Sequence, residues 1–302
     1  MHTYDRYTMV NPQNGNLAFS IYPFDDSSLF SSIQRFNYFS LILWKGQTVD
    51  LTADFTQYPI AGNVLLAFSP FQPFQLRTNE PASGWVIHFH PEFFCIFRHH
   101  PEISANGFLF NNSYHPPFVR LTAEELTYFE LLTQQMANEI QKVELAQHEL
   151  LISYLKIILI QAVRLTLAQY PERDETVVIA EQKEPFVIQK LKDAIEQYFR
   201  SKHTPSDYAD LLTISPKALA KITRHYFSKT LTDLISDRIV IEAKRELYLT
   251  PKSIKEIAHE LGFEDEFYFS RFFKRHATVS PQVYRDTVGF NRAANSPALE
   301  SN

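Results

Sequence analysis

A single cysteine, Cys95, and only seven glycines stand in a chain of 302 residues. One thiol excludes a disulfide framework and any cysteine-rich zinc module, and it suits a reducing compartment. With so few glycines there is no Gly-rich loop to cradle a phosphate, and no Gly-x-Ser-x-Gly elbow occurs. Both absences argue against nucleotide-binding and serine-hydrolase folds. Long apolar runs are missing too. The most apolar stretch, around Leu150–Leu167, is interrupted by Tyr154, Lys156, Gln161 and Arg164. A membrane span wants about 20 nearly uncharged residues. The opening residues, MHTYDRYTMVNPQNGN, are polar and hold no apolar segment of a secretory signal. The expectation is a soluble, cytoplasmic protein that binds no membrane.

What is present suits two ordinary globular cores: 45% apolar and 21% charged residues. The net charge of −5 is unevenly spread. Residues 1–184 hold 11 Lys and Arg against 19 Asp and Glu, a net −8, while residues 185–302 hold 18 against 15, a net +3. The second half can approach a polyanion and the first cannot, although so small an excess proves nothing about nucleic acid by itself.

Residues 16–120 carry short apolar and aromatic runs, among them Asn16–Tyr22, Tyr38–Trp44, Asn63–Phe68 and Trp85–Phe89, separated by Pro, Asn, Asp and Ser clusters. This spacing indicates a small all-β barrel or sandwich. The period then changes. Thr122-Ala-Glu-Glu125 reads as a capping box, and Leu126, Phe129, Leu132, Met136, Ile140 and Val143 recur at helical spacing. A second helix is expected at about Ala146–Gln169, apolar over more of its surface. Such a pair suits packing on the barrel and on a second copy of the chain. Residues 171–184 are half charged, follow Tyr170 with a Pro, and read as an exposed linker.

From Pro185 the pattern is helical throughout. Helices are expected at Phe186–Arg200, Pro205–Leu212, Ser215–Tyr226, Leu231–Leu249, Ser253–Leu261 and Asp265–His276, with a last one opened by Ser280-Pro281. A short helix, a turn and a longer helix occur twice, as in helix-turn-helix units, whose second helix enters the major groove. The helix between the two units, at about 1.5 Å per residue, is a rod of about 28 Å. Major-groove faces recur every ~34 Å along one side of the duplex, so one chain can serve two adjacent grooves.

His88-Phe-His90-Pro-Glu92 is a candidate metal set, since alternate strand residues share a face. It lacks an evident third ligand, although His99, His100 and His115 exist. Neither a metal nor any other cofactor is expected.

Ile254-Lys-Glu-Ile-Ala-His-Glu-Leu-Gly-Phe263, Phe267-Tyr-Phe-Ser-Arg-Phe-Phe-Lys-Arg275 and Ser280-Pro-Gln-Val-Tyr-Arg285 together resemble the AraC/XylS family of bacterial transcription regulators. The resemblance covers about residues 185–288. It implies an α+β two-domain protein. Residues 1–170 would form a cupin-like β-barrel with a helical pair that senses an effector and dimerises. Residues 185–290 would form an all-α domain with two helix-turn-helix units, followed by a flexible tail at 291–302. The implied function is sequence-specific binding of double-stranded DNA, without catalysis. The implied partners are a small-molecule effector at residues the sequence does not name, a second copy through helices at 122–169, and RNA polymerase. A segment like His88–Glu92 commonly occurs in the family without catalysis.

The family's base-reading positions fall on Lys217, Ala220 and Lys221 in the first recognition helix. In the second they fall on Glu266, Phe267, Tyr268, Ser270 and Arg271. Lys and Arg can donate to guanine, Glu can accept from cytosine, and Ala or Phe can touch a thymine methyl. Arg224, Lys274 and Arg275 fit phosphate contacts, which position without specifying. Arg271 has an alternative role as an ion-pair partner of Glu264, Asp265 or Glu266, and this acidic triplet predicts weaker DNA binding by the second unit. The apolar faces are expected at Leu219, Ile222 and Tyr226, and at Phe269, Phe272 and Phe273. The chain departs from the family at Ser228 and Thr278, where Gly is usual. A positive φ there would cost on the order of 1 kcal/mol.

Overall fold

A computed structural model describes residues 6–11, 15, 17–53, 56–96, 109–110, 114–142, 144–170, 186–227 and 229–288. The chain divides into two compact units, Met1–Glu172 and Arg173–Asn302. The expected linker at 171–184, the tail at 291–302, His99, His100 and Ser228 lie outside the described residues.

Among the described residues the first unit holds nine strands: β1 (Tyr7–Val10), β2 (Leu17–Phe24), β3 (Phe39–Lys45), β4 (Thr48–Ala53), β5 (Thr56–Ala61), β6 (Asn63–Phe68), β7 (Phe74–Arg77), β8 (Ser83–Phe89) and β9 (Phe118–Leu121). They pair antiparallel into a six-stranded sheet, β1-β2-β8-β3-β6-β9, and a three-stranded sheet, β5-β4-β7. The strands expected of a small barrel or sandwich are present. Among the described residues the two sheets face each other with open edges, and no strand pairing closes them into a barrel.

Alternation along the six-stranded sheet builds two cores. Phe24, Ile42, Trp44, Val64, Leu66 and Val86 face the smaller sheet and pack with its Val49, Leu51, Ile60, Phe74 and Leu76. Phe19, Ile21, Leu41, Leu43, Ile87 and Phe89 point the other way, onto two helices. These are α1 (Ala123–Glu139) and α2 (Gln147–Gln169). The capping box opens α1 as the sequence indicates, with Thr122 Oγ1 accepting from Glu125 N at 3.2 Å and Thr122 N donating to the Glu125 carboxylate at 2.7 Å. By length and composition alone α2 could cross a membrane. Here Leu151, Leu155, Ile158, Leu159, Ala162 and Val163 bury one side of it in the same core as the sheet.

The second unit is helical: α3 (Phe186–Tyr198), α4 (Pro205–Leu212), α5 (Pro216–Phe227), α6 (Leu231–Leu249), α7 (Ile254–Glu260), α8 (Glu266–Ala277) and α9 (Pro281–Val288). Its core gathers residues at helical spacing, with Leu219, Leu234, Ile239, Leu247, Ile257, Phe269, Phe273 and Tyr284 all buried.

Candidate nucleic-acid interface

Two helix-turn-helix units, α4 with α5 and α7 with α8, are set by local chemistry. Pro205 opens α4 behind a capping box of Thr204 and Asp207. Ser253 and Glu256 do the same for α7. Asp265 caps α8 by accepting from Phe267 N at 2.8 Å. The turn into α8 needs Gly262. Its φ is +81°, and a Cβ there would meet the Arg200 carbonyl oxygen at 2.1 Å. The turn therefore rests directly on the chain that leaves α3.

Burial divides each recognition helix. In α5, Leu219 and Thr223 are buried and Ile222 is half-buried. Tyr226, expected on the apolar face, is 44% exposed, one residue from the end of the helix. Lys217, Ala220, Lys221 and Arg224 are exposed. In α8, Phe269 and Phe273 are buried, while Phe272 is half-buried against Phe263 and His276. Phe267 and Tyr268 stand out at 68% and 57% exposure. Arg271, Lys274 and Arg275 are exposed, and Glu266 and Ser270 are half-buried.

The charges sort by face. Glu242 on α6 is buried and accepts from Arg200 at 2.6 Å, Arg238 at 3.1 Å and Arg245 at 3.4 Å. Arg238 also meets Glu196 at 2.8 Å, and Lys252 bridges Glu246 and Glu260. These cations are neutralised within the unit. By contrast, Lys217, Lys221, Arg224, Arg271, Lys274 and Arg275 form no ion pair among the described residues. The alternative pairing of Arg271 with Glu264, Asp265 or Glu266 is not made. An exposed helix face with unneutralised cations is what a polyanion binds.

Two features escaped the sequence reading. Glu242 looks like any helix carboxylate until α3 brings Arg200 beside it. Arg285 is buried, its Nε reaching the Leu247 carbonyl at 3.5 Å near the end of α6, where a cation complements the helix dipole. The strain expected at Thr278 is present: it ends α8 with φ +68°. Thr213, φ +55°, ends α4 in the same way.

The candidate metal histidines serve other roles. His88 is buried, its Nε2 3.1 Å from the Tyr22 hydroxyl and its Nδ1 2.9 Å from Ser40 Oγ. His90 lies beyond the end of β8, where its Nδ1 accepts from Glu92 N at 3.3 Å. Among the described residues no three His, Cys, Asp or Glu side chains gather to hold a metal.

Comparison with known proteins places the similarity on the same helices. Residues 208–287 match a family described as a helix-turn-helix domain. The chain is similar to the transcriptional activator Btr of Bacillus subtilis, 33% identical over 84 residues, which cover 28% of this chain and 16% of that protein. It is similar to the arabinose operon regulatory protein of Salmonella typhimurium, 27% identical over 114 residues, which cover 36% and 40% of the two. The first curated relatives are thus spanned over less than half of their length. The regulator YisR of Bacillus subtilis aligns over 84% of this chain and 87% of its own length at 24% identity. Among solved structures, ToxT of Vibrio cholerae aligns over 95% of this chain and 97% of its own at 15% identity, with a TM-score of 0.41.

Proposed function

We propose that this chain, on the strength of its C-terminal helix-turn-helix domain, is a sequence-specific DNA-binding transcription regulator of the AraC family. Its work is binding and not catalysis. The observation that carries this reading is the pair of recognition helices, α5 and α8, with exposed cations that no carboxylate neutralises among the described residues. Lys217, Ala220 and Lys221 on α5, and Glu266, Phe267, Tyr268, Ser270 and Arg271 on α8, contact base edges. Arg224, Lys274 and Arg275 take phosphates and fix the register. The 19 residues of α6 set the distance between adjacent major grooves.

The first unit is the sensing and dimerising part. Two apposed sheets with an aromatic core support a cupin-like reading with a small-molecule effector. Leu131 on α1 and Ile157 on α2 are exposed apolar residues that support pairing of two copies through these helices. Residues 1–170 and 185–290 are taken as the two domains. RNA polymerase is the partner a DNA-bound activator would meet, and the cytoplasm is the compartment.

The test is fluorescence anisotropy of the purified chain on the DNA upstream of its own gene, titrated with salt and random-sequence competitor. Tight, competitor-resistant binding with a steep salt slope is expected. Selection from a randomised duplex pool that returns no preferred sequence would overturn the reading.

A further inference from the structure

One polar cluster in the first unit is not explained by packing. Ser20, His88 and Ser40 lie side by side across β2, β8 and β3, in register on the face that elsewhere carries Phe24, Ile42, Trp44 and Val86. The His88 ring is enclosed by Tyr38 at 4.5 Å, Phe36 at 5.0 Å and Tyr22 at 5.7 Å, with Phe36 and Tyr38 stacked on each other at 5.1 Å. Over this aromatic wall lies Arg6, just before β1. Its Nε donates to Ser20 Oγ at 3.0 Å, and its guanidinium carbon is 5.1 Å from the Tyr22 ring centre. Its charge is felt at Tyr22, Tyr38 and His88 alike.

Arg6 is exposed, and among the described residues no carboxylate pairs with it. Among the described residues the groups around it are neutral hydroxyls, rings and an imidazole. A guanidinium fixed by the Ser20 and Tyr38 hydroxyls and the Tyr22 ring still presents further donors in a planar fork that matches a carboxylate. Ser20, Ser40 and His88 are buried and bonded to one another or to their neighbours, so they shape the site and leave recognition to the outer residues.

We propose that Arg6, Tyr22, Phe36 and Tyr38 form the recognition site for a small organic carboxylate, its anion on the Arg6 guanidinium and its carbon body against the three rings. This rests on the reading of the first unit as the effector-sensing part, and it supplies the ligand class that reading lacks.

Saturation-transfer NMR on the full chain tests it, with two matched probe pairs: phenylacetate against phenylacetamide, and hexanoate against hexanamide. The acids are expected to bind at up to millimolar concentration and the amides at least tenfold more weakly, since a charge-assisted fork contact is worth about 10- to 100-fold in affinity. Arg6→Gln should remove that preference and Arg6→Lys should restore part of it, with unchanged thermal melts showing that both variants fold. Equal binding of acid and amide, no binding of either acid, or an undiminished preference in Arg6→Gln would overturn the proposal. Anisotropy on the same wild-type sample separates the two readings. A chain that binds a duplex and no carboxylate sinks only the ligand site. A chain that binds carboxylate and selects no duplex sinks only the regulator.

Discussion

At the scale of single residues, His88 shows how burial sets chemistry. Desolvation first, and the Arg6 guanidinium second, push its pKa from 6.5 down to about 3. The fold therefore uses the neutral imidazole. An unfolded chain takes up a proton below pH ~6.5 while the folded one does not, so this stability is complete above pH ~6.5 and is lost as pH falls toward 3. The slope from one such group is at most about 1.4 kcal/mol per pH unit. Both tryptophans, Trp44 and Trp85, lie in the first unit, so urea melts followed by their fluorescence report on it alone. The stability gap between wild type and His88→Gln is expected to narrow steadily below pH ~6.5. A constant gap from neutral pH to pH 4 would show that His88 does not titrate in this way.

Thr278 gives the opposite kind of test, a substitution expected to help. Its αL backbone carries a β-branched side chain, so Thr278→Gly should raise stability by a few tenths of a kcal/mol, relief of ~1 kcal/mol of strain being partly offset by the added chain entropy of glycine. Thermal unfolding followed by circular dichroism reads the change, with tryptophan fluorescence marking the first unit's own transition so that the two can be told apart.

At the scale of elements, the proposed base-reading and phosphate-contacting residues of the recognition helices predict separate effects on specificity and affinity. Lys221→Ala or Arg271→Ala should relax preference at one or two base pairs by ~1–3 kcal/mol. Lys274→Ala should weaken every duplex alike and flatten the salt dependence. Equal loss on all sequences for Lys221→Ala would remove it from the base-reading set. Behind these faces α6 carries the Glu242 hub. Replacing one partner in a buried charge cluster leaves the others unmatched, and two of its three arginines are about half exposed, which softens the effect. Glu242→Gln is expected to cost about 2–3 kcal/mol in chemical denaturation.

The elements differ in how well the sequence announces them. Capping boxes at Thr122 and Ser253, Pro at the start of α4, α5 and α9, and helical spacing of Leu and Phe all act within a few residues, so the helix positions and the exposed faces of α5 and α8 can be read directly. Gly262 is legible for the same reason. Sheet closure is not, because it depends on whether short edge strands far apart in sequence meet. The Glu242 cluster and the Arg6 cluster are hidden likewise. Residues 42 apart supply Arg200 and Glu242, and residues 82 apart supply Arg6 and His88. Thr223 and Tyr226 mark a smaller limit: periodicity gives the face of a helix but not where its cover ends.

At the scale of the whole molecule, the proposed division of labour puts sensing in the acidic first half and DNA binding in the mildly basic second half. Pairing of two copies would place four recognition helices on one operator. If the exposed sides of α1 and α2 form that contact, Leu131→Glu together with Ile157→Glu should convert a dimer to a monomer in light scattering. The same change should weaken binding to a two-site duplex far more than to a single site.

The apolar α2 has a further consequence, for the order of synthesis. All nine strands precede it in the chain. Domains fold from the N-terminus as they are made. The sheet that buries Leu151, Leu155, Ile158 and Ala162 has thus left the ribosome before this helix emerges, and a segment greasy enough to be drawn into a bilayer meets its own docking surface first. A circular permutant that makes α2 before the strands would keep every native contact and lose that protection.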